Sequence, residues 1–339
     1  MGKILVFRPI YTNFAAMMEV ISMPIWAWIL FYALVIVMLY ADLKLFGRKG
    51  QHEVSIGEAL KMTVVWIIVS LIFCGGIWHY EGSGKAMEFL AGYLIEKSLS
   101  MDNLFVFLML FSFFGVQRKY QHEVLFWGIF GALILRSIFI FAGAAMVQRF
   151  EWILAIFGVF LIYTGIKMFS HQDDESVDPS KNIFVKLFKK FFPVTDQMHE
   201  DKFFVKEMRR EGEKEVIKRL ATPLFIALLV IETTDVAFAV DSIPAVFSVS
   251  RDPFIVLTSN IFAILGLRAL YFALAAIAKY FQYLKYGLGI ILSFVGVKML
   301  LEVSPWHIEV RTSHSLLFIF GVLLLSMLAS VLITKARKR

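Results

Sequence analysis

EKSLSMDN (residues 96–103) interrupts an otherwise apolar stretch: FLAGYLI (89–95) precedes it and LFVFLMLFSFFGV (104–116) follows. Glu96, Lys97 and Asp102 therefore stand where the surrounding pattern calls for lipid. The chain as a whole makes the same point. Of its 339 residues 59% are hydrophobic and only 18% charged, with a mean hydropathy of +0.74. A soluble domain carries about 25% charged residues. Apolar runs near 20 residues recur, the length that crosses roughly 30 Å of hydrocarbon. The pattern predicts an all-α polytopic membrane protein with about nine transmembrane helices, at 25–42, 60–80, 87–115, 124–148, 152–169, 221–248, 254–278, 283–302 and 315–334.

The expected organisation is an extracytoplasmic N-terminal segment (1–24) and a first transmembrane bundle (25–169, spans 1–5). A charged cytoplasmic loop (170–220), a second bundle (221–334, spans 6–9) and a basic tail (335–339) follow. Lys and Arg sort these connections. One side of the membrane collects 22 of them, eleven in the 170–220 loop alone; the other holds Lys3, Arg8, Lys85, Arg149, Arg251 and Arg311. Cytoplasmic loops carry the excess, so the N-terminus is expected outside and the C-terminus in the cytoplasm. The formal charge of +7 then reads as an orientation signal, and no nucleic-acid partner is expected; the lipid bilayer is. The N-terminal stretch lacks the short apolar core and small-residue cleavage site of a removable signal. Cys74, the single cysteine, reads as a small buried hydrophobe without an intrachain disulfide.

Inside the loop, KNIFVKLFKKFFPV (181–194) spaces Ile183, Phe184, Leu187, Phe188 and Phe191 helically between lysines. That fits a basic amphipathic helix in the headgroup region and equally a helix packed under the bundle. HQDDESVD (171–178) reads as a solvated acidic run.

The two halves share a pattern. GIFGALILRSIF (128–139) matches NIFAILGLRALY (260–271), setting Arg136 on Arg268. GVFLIYTGIKMF (158–169) matches GIILSFVGVKML (289–300), setting Lys167 on Lys298. SMDN (100–103) falls on AVDS (239–242), so that Asp102 aligns with Asp241 and Glu96 with Asp235. The repeated unit is three spans, 3–5 and 6–8. An odd number of spans inverts one copy relative to the other, as in many secondary transporters whose ion sites lie near the midplane between repeats.

Charges at that depth are costly and must face one another, a cation or water. Spans 3 and 6 carry Glu96, Asp102, Glu232, Asp235 and Asp241 against Lys97, Arg136 and Arg268. If all ionise, two negative charges remain over; a divalent cation balances them, and so would two protons. Structural ion pairing with the two arginines is the plainer alternative. Asn103, Ser100, Ser242, Thr233 and Thr234 make the neighbourhood oxygen-rich, suited to Mg²⁺, Ca²⁺ or Mn²⁺. The seven histidines all fall at or beyond span ends, which disfavours mid-membrane zinc, copper or haem ligation. Pro244 has no N–H for the Val240 carbonyl, so a kink and a free oxygen ligand are expected there. Glu96 and Asp102 do not share a helical face; either span 3 breaks between them or they serve different steps. Lys97 is either a counter-charge or a side chain that reaches away, and Arg136 and Arg268 are either gating partners or struts.

LIEKSLSMDNLFVFLMLFS (94–112), FEWILAIFGVFLIYTGIKM (150–168) and VIETTDVAFAVDSIPAVFSVSRDPFIVLTSNIFAILGLRALYF (230–272) resemble the TerC family of integral membrane proteins, in particular its Alx-type branch, over the full length. The resemblance implies a manganese exporter of the inner membrane, related to LysE-like cation exporters. It implies metal-site residues Glu96, Asp102 and Asn103 in the first motif, and Glu232, Asp235, Asp241 and Ser242 in the second. Mn²⁺ would be substrate, with no permanently bound cofactor. The alternative is a non-transporting membrane partner in metal handling, in tellurium or stress resistance, or in metallation of exported proteins. An intramembrane protease is not expected: Gly-x-Gly-Asp, Gly-x-Ser-x-Gly and His-Glu-x-x-His are all missing from the sequence.

Overall fold

The computed structural model describes residues 23–47, 55–150, 152–169, 183–195, 197, 202–211, 214–277, 284–304 and 310–336. The N-terminal segment to residue 22, the 171–178 acidic run and the final 337–339 lie outside them. Six helices are long and apolar enough to cross a membrane: α1 (Ile25–Gly47), α2 (Ile56–Phe113), α3 (Arg118–Arg149), α6 (Pro223–Phe247), α9 (Leu284–Val303) and α10 (Thr312–Ala336). A seventh candidate is the pair α7 (Pro253–Leu265) and α8 (Leu267–Ile277), bent by 41°. α4 (Ile153–Lys167) is a shorter apolar helix of 15 residues. Many α1 side chains, such as Trp26, Ile29 and Leu30, turn an apolar face outward, as lipid contact requires.

α2 holds the ranges expected as spans 2 and 3. Its 58 residues would reach about 87 Å as one rod, far beyond a bilayer. Gly82 is the exception within it, with φ 89° and ψ 174°, a conformation that only glycine takes at low cost. The chain reverses there. Cys74 Sγ donates to the Ala86 carbonyl at 3.5 Å, and the Phe73 and Phe89 rings are 5.5 Å apart. On a straight helix residues 16 apart would be about 24 Å apart. α2 is thus a helical hairpin. Its start is fixed by Ser55, whose hydroxyl accepts from the Glu58 N–H while the Glu58 carboxylate accepts from the Ser55 N–H, satisfying two otherwise orphaned donors. Between Glu96 and Asp102 the helix is unbroken, so of the two expected arrangements the break is ruled out.

α7 is the centre of the bundle: every one of its residues is buried, and it packs on α2 and α3. Rings of Phe31, Phe73 and Phe89 gather around its Phe254 and Phe262, with Phe262 4.5 Å from Phe73. α4 and α9 cross with their backbones nearly touching. A β-carbon at Gly158 would lie 2.9 Å from the Gly296 carbonyl oxygen, and one at Gly289 would lie 2.8 Å from that of Gly165.

The 170–220 loop contains more than a helix. α5 (Ile183–Phe191) is followed by an antiparallel hairpin of β1 (Phe204–Glu211) and β2 (Lys214–Ala221), which the hydropathy pattern does not predict. Its register sets Glu207 opposite Lys218, Arg210 opposite Glu215 and Glu211 opposite Lys214.

Candidate functional site

The site is built around Arg136, which is 0% exposed in the middle of α3. A guanidinium at such depth must have its donors met by acceptors. Asp235 of α6 takes two of them in a fork, Nε to Oδ2 at 3.0 Å and Nη2 to Oδ1 at 2.9 Å. Nη1 donates to Glu96 Oε1 of α2, and also approaches Asn260 Oδ1 at 3.3 Å and Ser242 Oγ at 3.4 Å. Asn260, on α7, donates its amide to the other Glu96 oxygen at 2.8 Å, and Ser100 donates to Glu96 Oε1 at 3.3 Å. Four elements, α2, α3, α6 and α7, thereby meet at one cation and two carboxylates.

Glu232 lies one turn before Asp235 and so on the same side of α6. Its carboxylate occupies the space above Gly131 of α3, where any β-carbon would overlap it. Glu232 Oε2 is buried with no hydrogen-bond partner among the described residues. A buried carboxyl oxygen left without a partner is costly, and here it stands beside a carboxylate pair already claimed by an arginine.

The other expected residues are distributed as follows. Asn103 is buried on α2; the Asp102 side chain lies outside the described set. Asp241 is partly buried and interacts electrostatically with Lys167 of α4, whereas Arg136 interacts with Asp235 and Glu96. The Thr234 hydroxyl donates to the Val230 carbonyl of its own helix. α6 stays helical through Pro244, and the side chain of Val240 is exposed. Among the described residues no three His, Cys, Asp or Glu side chains are grouped closely enough to hold a metal ion.

Lys97 turns away from Glu96. Its ammonium donates to the Ala263 carbonyl at 3.0 Å, in the last turn of α7, where the break at Gly266 leaves carbonyls without helical N–H partners. The cation thus sits at the negative end of a half-helix. Gly266 makes room for it: a β-carbon there would be 2.9 Å from Lys97 Nζ. Arg268, aligned with Arg136 in sequence, has a different partner, Asp42 of α1, at 2.8 Å to Oδ2 and with a further bond to the Asp42 carbonyl.

Asn260 and Asp42 were not singled out by sequence. Asn260 carried a signal, as the polar first residue of the NIFAILGLRALY string; Asp42 sat at the end of an ordinary apolar span. A second cluster was also missed. Lys85 pairs with Glu88 at 3.1 Å and Asp252 at 3.3 Å, Ser250 donates to Glu88 at 2.6 Å, Arg251 pairs with Glu302 at 2.7 Å, and Lys298 donates to the Ser248 carbonyl at 2.7 Å. These groups line an open polar cavity of about 340 Å³ at the bundle end that holds the Gly82 turn.

A multi-pass bundle with charged groups buried among its apolar helices defines an integral membrane protein. The chain belongs to the integral membrane protein TerC family, whose model matches residues 81–338. Similar proteins include two that carry the name "Putative membrane-bound redox modulator Alx". That of Escherichia coli K12 is 45% identical over 91% of this chain and 95% of its own length; that of Salmonella typhi is 44% identical over 95% and 98%. No solved structure matches the chain.

Proposed function

We propose that the protein is a secondary transporter that carries Mn²⁺ out of the cytoplasm across the inner membrane, with protons as counter-ions. The observation that carries this reading is the convergence of Glu96 and Asp235 on Arg136 at membrane depth, with Glu232 left over beside them. The two acids hold equivalent positions in the two halves of the sequence. Nine crossings follow if each arm of the α2 hairpin, α4 and the α7–α8 pair are each counted as one. The α4–α9 contact adds support for an inverted repeat: Gly158 aligns with Gly289 and Gly165 with Gly296, and these glycines meet crosswise. The lysine and arginine asymmetry favours a cytoplasmic C-terminus.

On this reading Arg136 is a resident counter-cation. It neutralises the acids between cargoes and gives way when a divalent ion reaches them. The donors available are oxygens, from Glu96, Glu232, Asp235, Ser100, Ser242 and Asn260, with Asp102, Asn103 and Asp241 as further candidates along the path. Such a set suits a hard cation. Carboxylates that bind either metal or protons couple the two fluxes directly, and no bond-making chemistry is involved.

The test is Mn²⁺ flux in proteoliposomes containing only this protein, under an imposed pH gradient, with Glu232→Gln and Asp241→Asn as variants and Mg²⁺, Ca²⁺ and Zn²⁺ as competitors. Saturable flux lost in folded Glu232→Gln protein is the expected result. The second reading, a non-transporting membrane partner in metal handling, is favoured by the relatives' name, membrane-bound redox modulator, and by the arginine's hold on both acids. It predicts metal binding without flux under any gradient.

A further inference from the structure

We propose that α5 and the residues that follow it form a foot that docks on anionic phospholipid at the membrane surface. The inference does not depend on what the bundle transports. α5 packs on the protein through Val185, which is 3% exposed, and through Phe188, whose ring lies 5.1 Å from that of Phe225 in the first turns of α6. The opposite side is not covered. Ile183, Leu187 and Phe191, spaced by four residues, are 77%, 53% and 70% exposed, and Phe192 extends the stripe.

Where the foot sits follows from its fastening. The Thr195 N–H donates to the Ala221 carbonyl and the Ala221 N–H to the Pro193 carbonyl, both at 3.0 Å. The Thr222 hydroxyl donates to the Lys202 carbonyl at 2.7 Å. Thr222 immediately precedes the membrane-spanning α6. The foot is therefore held at the level where that helix leaves the apolar layer, and its uncovered apolar stripe cannot be far from lipid.

Charge selects the lipid. α5 has no acidic residue, and Lys186, Lys189 and Lys190 are exposed. A short helix with an apolar stripe flanked by lysines lies in the interface plane and favours anionic headgroups. A protein partner or a second copy would need its own acidic groove; the bilayer beside α6 needs nothing further.

The experiment uses the full chain with Cys74→Ala and Leu187→Cys, spin-labelled at the new cysteine, in nanodiscs holding one protein each. Discs of phosphatidylcholine alone are compared with discs that also contain phosphatidylglycerol. Collision of the label with oxygen and with a water-soluble nickel complex reads its depth. The expected result is a label shielded from nickel and reached by oxygen in the anionic discs, with less docked label in the neutral ones. Replacing Lys186, Lys189 and Lys190 by Gln one after another should lower the docked-to-free ratio about fivefold per lysine. Equal shielding in both lipids, or shielding that survives the triple substitution, overturns the anionic-lipid assignment. Full nickel access in both lipids overturns docking altogether. Shielding that appears only when two copies share a disc assigns the surface to a second copy and overturns the proposal too.

Discussion

Arg136 and Arg268 align when residues 128–139 are set against 260–271, and both are buried, yet they are spent differently. Arg136 gathers acids from α2 and α6 together with the Asn260 amide of α7, so that it ties four elements to one point. Arg268 reaches outside the repeated pattern to Asp42 on α1 and to that residue's backbone. Two residues that align in sequence need not do the same work; the surroundings of each decide. The arginine that joins the two motifs has a further buried acid, Glu232, beside its Asp235 partner, whereas the other secures the first helix.

The sharpest way to break this comparison is Arg136→Met. Removing one partner of a buried ionic cluster costs about 3–5 kcal/mol, and here two carboxylates would be stranded. Folded yield and thermal unfolding in detergent should both collapse. Adding Glu96→Gln and Asp235→Asn should restore the fold without restoring Mn²⁺ flux; restored flux would show that the cluster only braces. Arg268→Met removes the partner of Asp42, so a loss at the lower end of the same range, about 3 kcal/mol, is expected. Arg268→Lys should keep flux and Arg136→Lys should not, and equal behaviour would erase the distinction. Gly158→Val places a side chain against the Gly296 carbonyl, and overpacking of this kind costs about 1–3 kcal/mol; unfolding scans would read it. The smallest effect belongs to Arg251→Gln. Its pair with Glu302 is 45% and 30% exposed, and such pairs contribute about 1 kcal/mol at most. A larger drop in stability would give the polar cavity at that end a structural role.

Much of this was legible. The interruption at 96–103 marked Glu96, and the long apolar runs gave a multi-pass bundle, because bilayer thickness imposes a length that composition reveals. The aligned arginines were legible as buried charges, but their partners were not. Sequence alignment pairs each residue with its copy, whereas contacts run between copies, as from Arg136 to Asp235, or outside them, as from Arg268 to Asp42. The charge tally failed for the same reason: Lys97 went to a backbone carbonyl at the Gly266 break, an acceptor that no count of acids includes. The β1–β2 hairpin was hidden because each strand mixes charged and apolar residues without the strict alternation that marks a half-buried strand.

The crossing of α4 and α9 has a further consequence. Lipid gives two helices no hydrophobic reason to associate, so close backbone approach through small residues must hold them. α4 closes the first half of the chain and α9 belongs to the second, so the halves grip each other directly through Gly158, Gly165, Gly289 and Gly296. Covalent continuity between the halves is then not what holds them together. Fragments 1–169 and 170–339, made together as separate chains, should reassemble in the membrane.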